Sequence, residues 1–193
     1  MRVLIACEFS GVVRSAFRKL GHDAWSCDIR PAADGSDFHL YSDVRKVLDQ
    51  SWDLMIAHPP CTHLASSGAR HFAEKVKDGR QQKALEFVLL LLNAPIPKIA
   101  LENPVGIISS RIRPPDQYIE PFEFGHPERK KTGLWLKNLP LLRPIKIVQP
   151  LPGSRIADRG PSQRYLDERS VTYKGIAIAM ALQWGGRVKK RAE

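Results

Sequence analysis

The chain contains the segment Trp52-Asp53-Leu54-Met55-Ile56-Ala57-His58-Pro59-Pro60-Cys61. Its first six residues are mostly apolar, and they predict a buried strand of a parallel sheet. The two prolines fix backbone φ angles and remove two N–H donors, so the strand ends there and Cys61 lies on a stiff turn. Loops at the carboxyl ends of parallel strands are where α/β proteins bind ligands. Cys61 is therefore a candidate nucleophile, and the alternative is a buried, inert thiol in an ordinary turn.

A second polar cluster follows a second apolar segment. Residues 97–101 predict a short strand, and Glu102-Asn103-Pro104-Val105-Gly106 comes directly after it. A carboxyl group at the end of an apolar strand is partly desolvated, which raises its pKa, so we expect Glu102 to act as a proton donor near neutral pH. The alternatives for Glu102 are a helix N-cap or a surface acid before a Pro-Gly turn.

The remaining elements predict a single α/β unit. Strand and helix patterns alternate along the chain, which favours a mostly parallel sheet with helices on both faces. A first strand over residues 2–7 leads to a helix that Ser10 would cap and Gly21 would end. A second strand over residues 23–27 has Asp28 at its tip. Ser42 would cap a short helix with Asp43 in its first turn.

This order of elements predicts a nucleotide-type cofactor site. The first strand, turn and helix would face Asp28, which is suitably placed to bind a ribose diol. NAD and S-adenosylmethionine would both fit such a site. The combination of Cys61 and Glu102 distinguishes them, because hydride transfer needs neither group, whereas methylation of a pyrimidine carbon uses a nucleophile and an acid.

With these motifs in this order, the chain resembles the DNA (cytosine-5) methyltransferases, in particular their small, phage-type members. The resemblance covers residues 3–185. The matching segments are Cys7-Glu8-Phe9-Ser10-Gly11, Cys27-Asp28-Ile29, Pro59-Pro60-Cys61, Glu102-Asn103-Pro104, Pro127-Glu128-Arg129-Lys130-Lys131-Thr132 and Thr172-Tyr173-Lys174-Gly175-Ile176-Ala177. The chain departs from the family in two segments. Val12 and Val13 follow Gly11 where the family has further glycines, and Lys130 and Thr132 stand where it has two arginines.

The resemblance implies a Rossmann-like, S-adenosylmethionine-dependent methyltransferase fold and a set of site residues. Cys61 would attack C6 of cytosine, and Glu102 would hold or protonate N3. The substrate-binding residues would be Pro60, Asn103, Lys130 and Lys131. The residues that bind S-adenosylmethionine would be Glu8, Phe9, Ser10, Gly11, Asp28, Ile29, Asp43, Pro59, Gly175 and Ala177. The alternative for Asp43 is a helix-dipole role alone.

The charge distribution favours a nucleic-acid partner. The formal net charge is +10, and residues 126–169 hold ten lysines or arginines against four acids, a net +6. A basic segment beside the pocket suits contacts with DNA phosphates, in duplex or single-stranded DNA, and the alternative is a solvated basic surface. Family members that read a DNA sequence carry a separate recognition domain, but residues 137–169 are too few to form one. Sequence specificity is then low, or a partner protein supplies it, or the substrate is a nucleotide or a single strand that is bound without contacts in a DNA groove.

Composition is typical of a cytoplasmic enzyme. We expect one catalytic domain over residues 1–186 and a basic tail over residues 187–193. Three cysteines without paired spacing predict neither a disulfide framework nor a metal site, which favours a reducing compartment. The amino terminus has no signal pattern and no apolar run could span a bilayer, so we expect neither secretion nor a membrane partner.

Two other functions remain open at this point. The same Cys61 and Glu102 chemistry could modify C5 of a pyrimidine in a free nucleotide or in RNA. Alternatively, the chain could be a catalytically inactive module that retains the fold and binds nucleic acid. Only the first interpretation, a cytosine-5 methyltransferase acting on DNA, predicts transfer of a labelled methyl group to DNA.

Overall fold

The protein forms a seven-stranded mixed sheet with helices on both faces, as the sequence predicts. A computed structural model describes residues 1–152 and 170–186. The strands occur in the order β3-β2-β1-β4-β5-β7-β6. Their bounds are β1 Arg2–Ala6, β2 Asp23–Asp28, β3 His39–Tyr41, β4 Leu54–Ala57, β5 Lys98–Pro104, β6 Gln117–Ile119 and β7 Thr132–Lys137.

The direction of the strands gathers the predicted site residues at one edge. Strands β1 to β5 pair in parallel, so their carboxyl ends lie at the same edge of the sheet. Strand β7 is antiparallel to β5, with Thr132 opposite Pro104 and Lys137 opposite Ile99. The start of β7 therefore lies at the edge where the parallel strands end, whereas Lys137 lies at the opposite edge.

The helices cover both faces of this sheet. Their bounds are α1 Val12–Lys19, α2 Phe72–Lys77, α3 Arg80–Leu92, α4 Ile108–Arg111 and α5 Lys174–Met180. Short 3-10 turns span Val44–Lys46, Ser66–His71 and Pro121–Glu123, and a π-helical turn over Ala181–Gly185 extends α5. Helices α1 and α5 pack on one face of the sheet, and α3 packs on the other. No helix in the described ranges is long and apolar enough to cross a membrane.

The sheet centre is apolar because β1 and β4 are covered on both faces. All four residues of Leu54–Ala57 are buried, and so are four of the five residues of β1. Strands buried on both faces read as continuous apolar runs rather than alternating ones. This explains why the two segments were recognisable as strands from sequence alone.

Three local predictions are wrong in detail. Strand β5 does not end before Glu102 but continues through Pro104, because β7 pairs with its last residues. Ser10 contributes only a long contact, 3.4 Å from the Val12 N–H. The shorter capping bonds come from the carboxylate of Glu8. Asp43 rather than Ser42 caps the turn over Val44–Lys46, where it accepts the Arg45 N–H at 3.0 Å.

Candidate active site

The first loop of the site, after β1, is organised by a buried carboxylate. Cys7 adopts a left-handed backbone conformation with φ 59°, and the chain then turns so that Glu8 accepts N–H groups of α1. Its Oε1 lies 2.7 Å from the Val13 nitrogen and its Oε2 lies 3.2 Å from the Arg14 nitrogen. These donors would otherwise be unpaired at a helix N-terminus. Burial raises the pKa of Glu8, opposed by the electrostatic interaction with His58 and by the two N–H bonds.

A buried arginine fills the space beside Gly11. The Arg14 side chain is 1% exposed; it donates to Ser26 Oγ at 2.7 Å and pairs with Asp34. A Cβ atom on Gly11 would overlap the Arg14 guanidinium, and Gly11 has φ 70°, so glycine is required there for both reasons. Arg14 therefore occupies the space in which a side chain at position 11 would lie.

The loop after β2 folds back over Phe9. The Ala33 N–H donates to the Phe9 carbonyl at 2.9 Å, and the Arg30 guanidinium lies 3.8 Å from the centre of the Phe9 ring. Arg14 adds the bond to Asp34 on the same loop. Two contacts thus hold the loop between β2 and β3 against the loop after β1, and a third holds it against α1.

The tips of β2 and β3 present one carboxylate and two exposed apolar side chains. Asp28 is half-buried, and its Oδ1 accepts the Arg30 N–H at 2.9 Å. Burial raises the pKa of Asp28, opposed by that bond and by the charge of Arg30. Ile29 is 74% exposed and Tyr41, which pairs with Asp28 across the strands, is 71% exposed. Asp43 lies nearby, but its carboxylate is engaged by the Arg45 N–H and guanidinium.

The Pro-Pro-Cys loop is held against β5 by a buried amide. Asn103 is 1% exposed, and its Nδ2 donates to the Pro59 carbonyl at 2.8 Å. Beyond Pro60, the chain makes a tight turn in which the Cys61 carbonyl accepts the N–H groups of Leu64 and Ala65, both at 2.9 Å. The three cysteines, all within the described residues, form no disulfide. Asn103 therefore fixes the base of the loop that carries Cys61.

A histidine pairs with Glu102 beside this loop. His58 Nδ1 lies 3.1 Å from Glu102 Oε2, and the two side chains are 10% and 19% exposed. Burial acts to raise the pKa of Glu102, but the hydrogen bond and charge of His58, with the charge of Lys130, hold it below its ordinary value. The expectation that Glu102 has a raised pKa is therefore wrong, because the effect of burial is outweighed by the interactions with His58 and Lys130, of which the one with His58 was not predicted from the sequence.

Glu102 also lines a cavity between β5, β7 and the start of α5. The cavity is lined by Glu102, Pro121, Lys130, Thr132, Ser170, Val171, Thr172, Tyr173 and Ile176. The Lys130 N–H donates to Glu120 at 2.8 Å, and its Nζ lies 5.9 Å from the Tyr173 ring centre. Lys131 is exposed, with its Nζ 4.5 Å from the Tyr118 ring centre. Lys130 thus lines this cavity, and Lys131 lies next to it in the chain; their role in substrate binding stays a prediction.

The start of α5 is explained by packing. The Gly175 N–H donates to His126 Nε2 at 3.0 Å, and a Cβ on Gly175 would lie 1.8 Å from the Phe124 carbonyl oxygen. Ala177 is 1% exposed and belongs to the core between α1, α5 and the sheet. These contacts give both residues a structural role, and their role in cofactor binding stays a prediction.

Three polar residues of the site were not assigned a role from sequence. His58 pairs with Glu102, Thr132 lines the cavity, and Arg14 links α1 to β2 and to the loop that follows β2. The position of His58 directly after a buried strand and before Pro-Pro-Cys was a usable signal, and so was the position of Thr132 in a segment that resembles a family motif. Arg14 gave none, because its partners lie on elements whose packing against α1 the sequence does not reveal.

Comparison with known proteins supports the fold. No protein-family model matches the chain, and no curated protein does so. Among solved structures, it is similar to a prophage-encoded E. coli protein provisionally described as a DNA modification methyltransferase. The identity is 18%, the TM-score is 0.53, and the match covers 76% of this chain and 51% of the other. The chain thus shares the α/β fold of that structure and matches about half of its length.

Proposed function

We propose that this chain transfers a methyl group from S-adenosylmethionine to C5 of cytosine in DNA, through a covalent bond between Cys61 and C6. The observation that carries the proposal is the junction of the two predicted motifs. Asn103 holds the Pro59 carbonyl at 2.8 Å, and His58 holds Glu102 at 3.1 Å. A candidate nucleophile and a candidate acid therefore belong to two elements that are fastened together at the ligand-binding edge of the sheet. The fold likeness to a methyltransferase is in accord with this proposal.

Each step of the proposed methylation of the cytosine ring can be assigned to residues of this junction. Cytosine C5 is a weak nucleophile, so the Cys61 thiolate first adds to C6 and the ring electron pair moves toward N3. A proton delivered through Glu102 neutralises the charge that develops at N3. C5 can then accept the methyl group, after which the C5 proton passes to solvent and the Cys61 thiolate is expelled. Pro60 and Asn103 shape the pocket by fixing the loop.

The residues at the ends of β1 and β2 fit the proposed cofactor in part. S-adenosylmethionine supplies an electrophilic methyl group. Asp28 would bind its ribose, with the exposed Ile29 and Tyr41 beside an apolar ring. The space at Gly11 is less suited, because Arg14 and Asp34 already fill it. Backbone contacts from Phe9 and Ser10 would then contribute more to cofactor binding than close approach at Gly11 does. The remaining predicted residues would line the cofactor site: Glu8, Asp43, Pro59, Gly175 and Ala177.

DNA is the substrate that the charge distribution favours. Lys130 and Lys131 lie at the active edge of the sheet, where they would contact phosphates beside the target base. A base in a duplex would be flipped out first, which costs a few kcal/mol, and single-stranded DNA avoids that cost. Specificity would come from a partner protein or remain low. The assignments of a single domain over residues 1–186, a tail over 187–193 and a cytoplasmic location stay predictions, and residues 153–169 and 187–193 lie outside the described part of the chain.

The direct test is to incubate the protein with methyl-labelled S-adenosylmethionine and separate samples of duplex DNA, single-stranded DNA, RNA and free cytidine nucleotides. Nucleoside mass analysis should find label in 5-methyldeoxycytidine from DNA. Label only in RNA or nucleotides would instead identify the alternative substrates. If the protein binds DNA and cofactor but no sample becomes labelled, it is an inactive binding module.

A further inference from the structure

His58 directly follows β4, which lies between β1 and β5 in the sheet, and it contacts both neighbouring strands. Its N–H donates to the Ala6 carbonyl of β1 at 2.9 Å. Its side chain is 10% exposed and reaches the neighbouring strand β5 through Glu102. The imidazole is thus held in place by the central strands of the sheet and is largely shielded from solvent.

The hydrogen bond to Glu102 determines which ring nitrogen carries a proton. Glu102 Oε2 is an acceptor when the carboxyl is ionised, so His58 Nδ1 must be the donor at 3.1 Å. Lys130 and Thr132, at the start of β7, are the other groups that act on the charge of Glu102. An ionised Glu102 cannot itself donate a proton to a base. The proton that Glu102 can obtain is the one on His58 Nδ1, which lies between the two side chains.

The second ring nitrogen faces a different environment. His58 Nε2 is buried and makes no hydrogen bond to the described residues. The charged group acting on the imidazole from the loop after β1 is Glu8, which is 4% exposed. Two acids, Glu102 and Glu8, thus act on the imidazole, and its Nε2 has no hydrogen-bond partner among the described residues.

We propose that His58 is a positioning residue that orients Glu102 and resupplies the proton that Glu102 passes to the pyrimidine. The inference rests on the proposed function. As the Cys61 sulfur bonds to C6, the ring electron pair reaches N3. The Nδ1–H bond of protonated His58 breaks as its proton passes to the Glu102 carboxylate, and Glu102 passes that proton to N3, which leaves Glu102 ionised and His58 neutral. After methyl transfer the C5 proton leaves to solvent, the Cys61–C6 bond breaks with its electron pair on sulfur, and N3 returns its proton through Glu102 to His58.

The test compares His58→Asn with wild type. The asparagine amide keeps a donor near the Nδ1 position but cannot release its proton, so Glu102 must be protonated from solvent. We expect methyl transfer to fall about 10- to 100-fold at neutral pH, with little change in KM for DNA. The rate of the variant relative to that of wild type should then rise about tenfold per pH unit as pH falls, because titration of the Cys61 thiol affects both proteins equally. His63→Asn, on the same loop beyond Cys61, is the matched control and should follow wild type.

A second measurement separates this inference from the proposed function. Carbon-13 NMR of glutamate-labelled protein, with Glu102→Gln for assignment, follows the Glu102 carboxyl directly. His58→Ala should raise the pKa of Glu102, because it removes the hydrogen bond and the charge that lower it. An unchanged titration, or a His58→Asn variant with the pH profile of wild type, overturns the inference. A wild type without methyl transfer overturns the proposed function alone, and the NMR titration then decides whether His58 controls Glu102.

Discussion

At the scale of single residues, the cofactor proposal depends most directly on Asp28. Its carboxylate is the acidic group at the tip of β2, and a charge-assisted bond to a ribose hydroxyl contributes about 1.5–3 kcal/mol. We therefore expect Asp28→Ala to weaken S-adenosylmethionine binding by at least about tenfold in calorimetry. Asp37→Ala is the matched control, because Asp37 is an exposed acid on the following loop. Equal affinity of Asp28→Ala and wild type would mean that the cofactor binds elsewhere.

The pKa of Asp28 leads us to expect that cofactor binding depends on pH. Burial raises the pKa of Asp28, so the ionised form is lost at a higher pH than for an ordinary aspartate. Cofactor affinity of the wild type should therefore weaken as pH falls through that raised pKa, and the affinity of Asp28→Ala should not change over the same range.

The individual site residues were predictable to unequal degrees. Cys61, Glu102 and Asp28 could be proposed because each follows an apolar segment that reads as a strand, and the structure places all three at one sheet edge. The ionisation of Glu102 could not be predicted, since it depends on His58, which is 44 residues away in the chain. Glu8 illustrates the same limit, because its carboxylate binds N–H groups of α1 that a sequence pattern assigns to Ser10.

At the scale of elements, the site depends on the contact between the turn after Cys61 and the end of β5. The Ser66 N–H donates to the Val105 carbonyl and the Ile107 N–H donates to the Leu64 carbonyl, both at 2.9 Å. Gly106 lies where the two segments cross, and a Cβ there would lie 2.0 Å from the Leu64 carbonyl oxygen. The absence of a side chain at Gly106 therefore lets the segments touch.

Gly106→Ala should separate these segments. We expect a loss of about 1–3 kcal/mol in the free energy of unfolding, measured by urea titration, because the contact is between backbone atoms that cannot rotate away. Methyl transfer should fall further than stability alone explains, since the Cys61 turn moves relative to Glu102. Gly35→Ala is the control for a glycine with no neighbouring atoms within 4 Å, although its positive φ adds some strain. An active, equally stable Gly106→Ala variant would contradict the close packing of the two segments.

The elements themselves were predictable where the apolar pattern was continuous, as in β1, β4 and α3. The length of β5 was not, because Glu102 and Asn103 are polar residues that lie in a strand only through pairing with β7. That pairing joins residues about 30 positions apart and leaves no periodic signal in either segment.

At the scale of the whole molecule, the basic residues are divided between two edges of the sheet. Lys131 immediately precedes β7 at the edge of the candidate site, and Lys137 ends it at the opposite edge, about 20 Å away along the strand. The Lys137 Nζ also donates to the Ala94 carbonyl at 3.2 Å. The expectation that the whole basic segment flanks the pocket is therefore wrong for Lys137, because an antiparallel strand carries it away.

DNA affinity should fall steeply with salt and vary little with sequence. With four to six phosphate contacts, the log-log salt slope on duplex DNA would be roughly −4 to −5. Lys131→Glu should make this slope less steep by about one to two, whereas Lys137→Glu should leave it unchanged. Filter binding or fluorescence anisotropy at several salt concentrations gives both slopes. Equal effects of the two substitutions would contradict the assignment of the DNA-binding edge, and sharp discrimination between unrelated duplexes would mean that base edges are read.

The covalent bond from Cys61 to C6 can be trapped with an oligonucleotide that contains 5-fluorocytosine. Fluorine at C5 cannot leave as a proton, so after methyl transfer the adduct cannot release the sulfur. In the presence of S-adenosylmethionine, denaturing electrophoresis and peptide mass analysis should find the oligonucleotide bonded to Cys61, with no adduct in Cys61→Ser. An adduct on another residue, or methylation of ordinary DNA without any adduct on the fluorinated strand, would contradict the account.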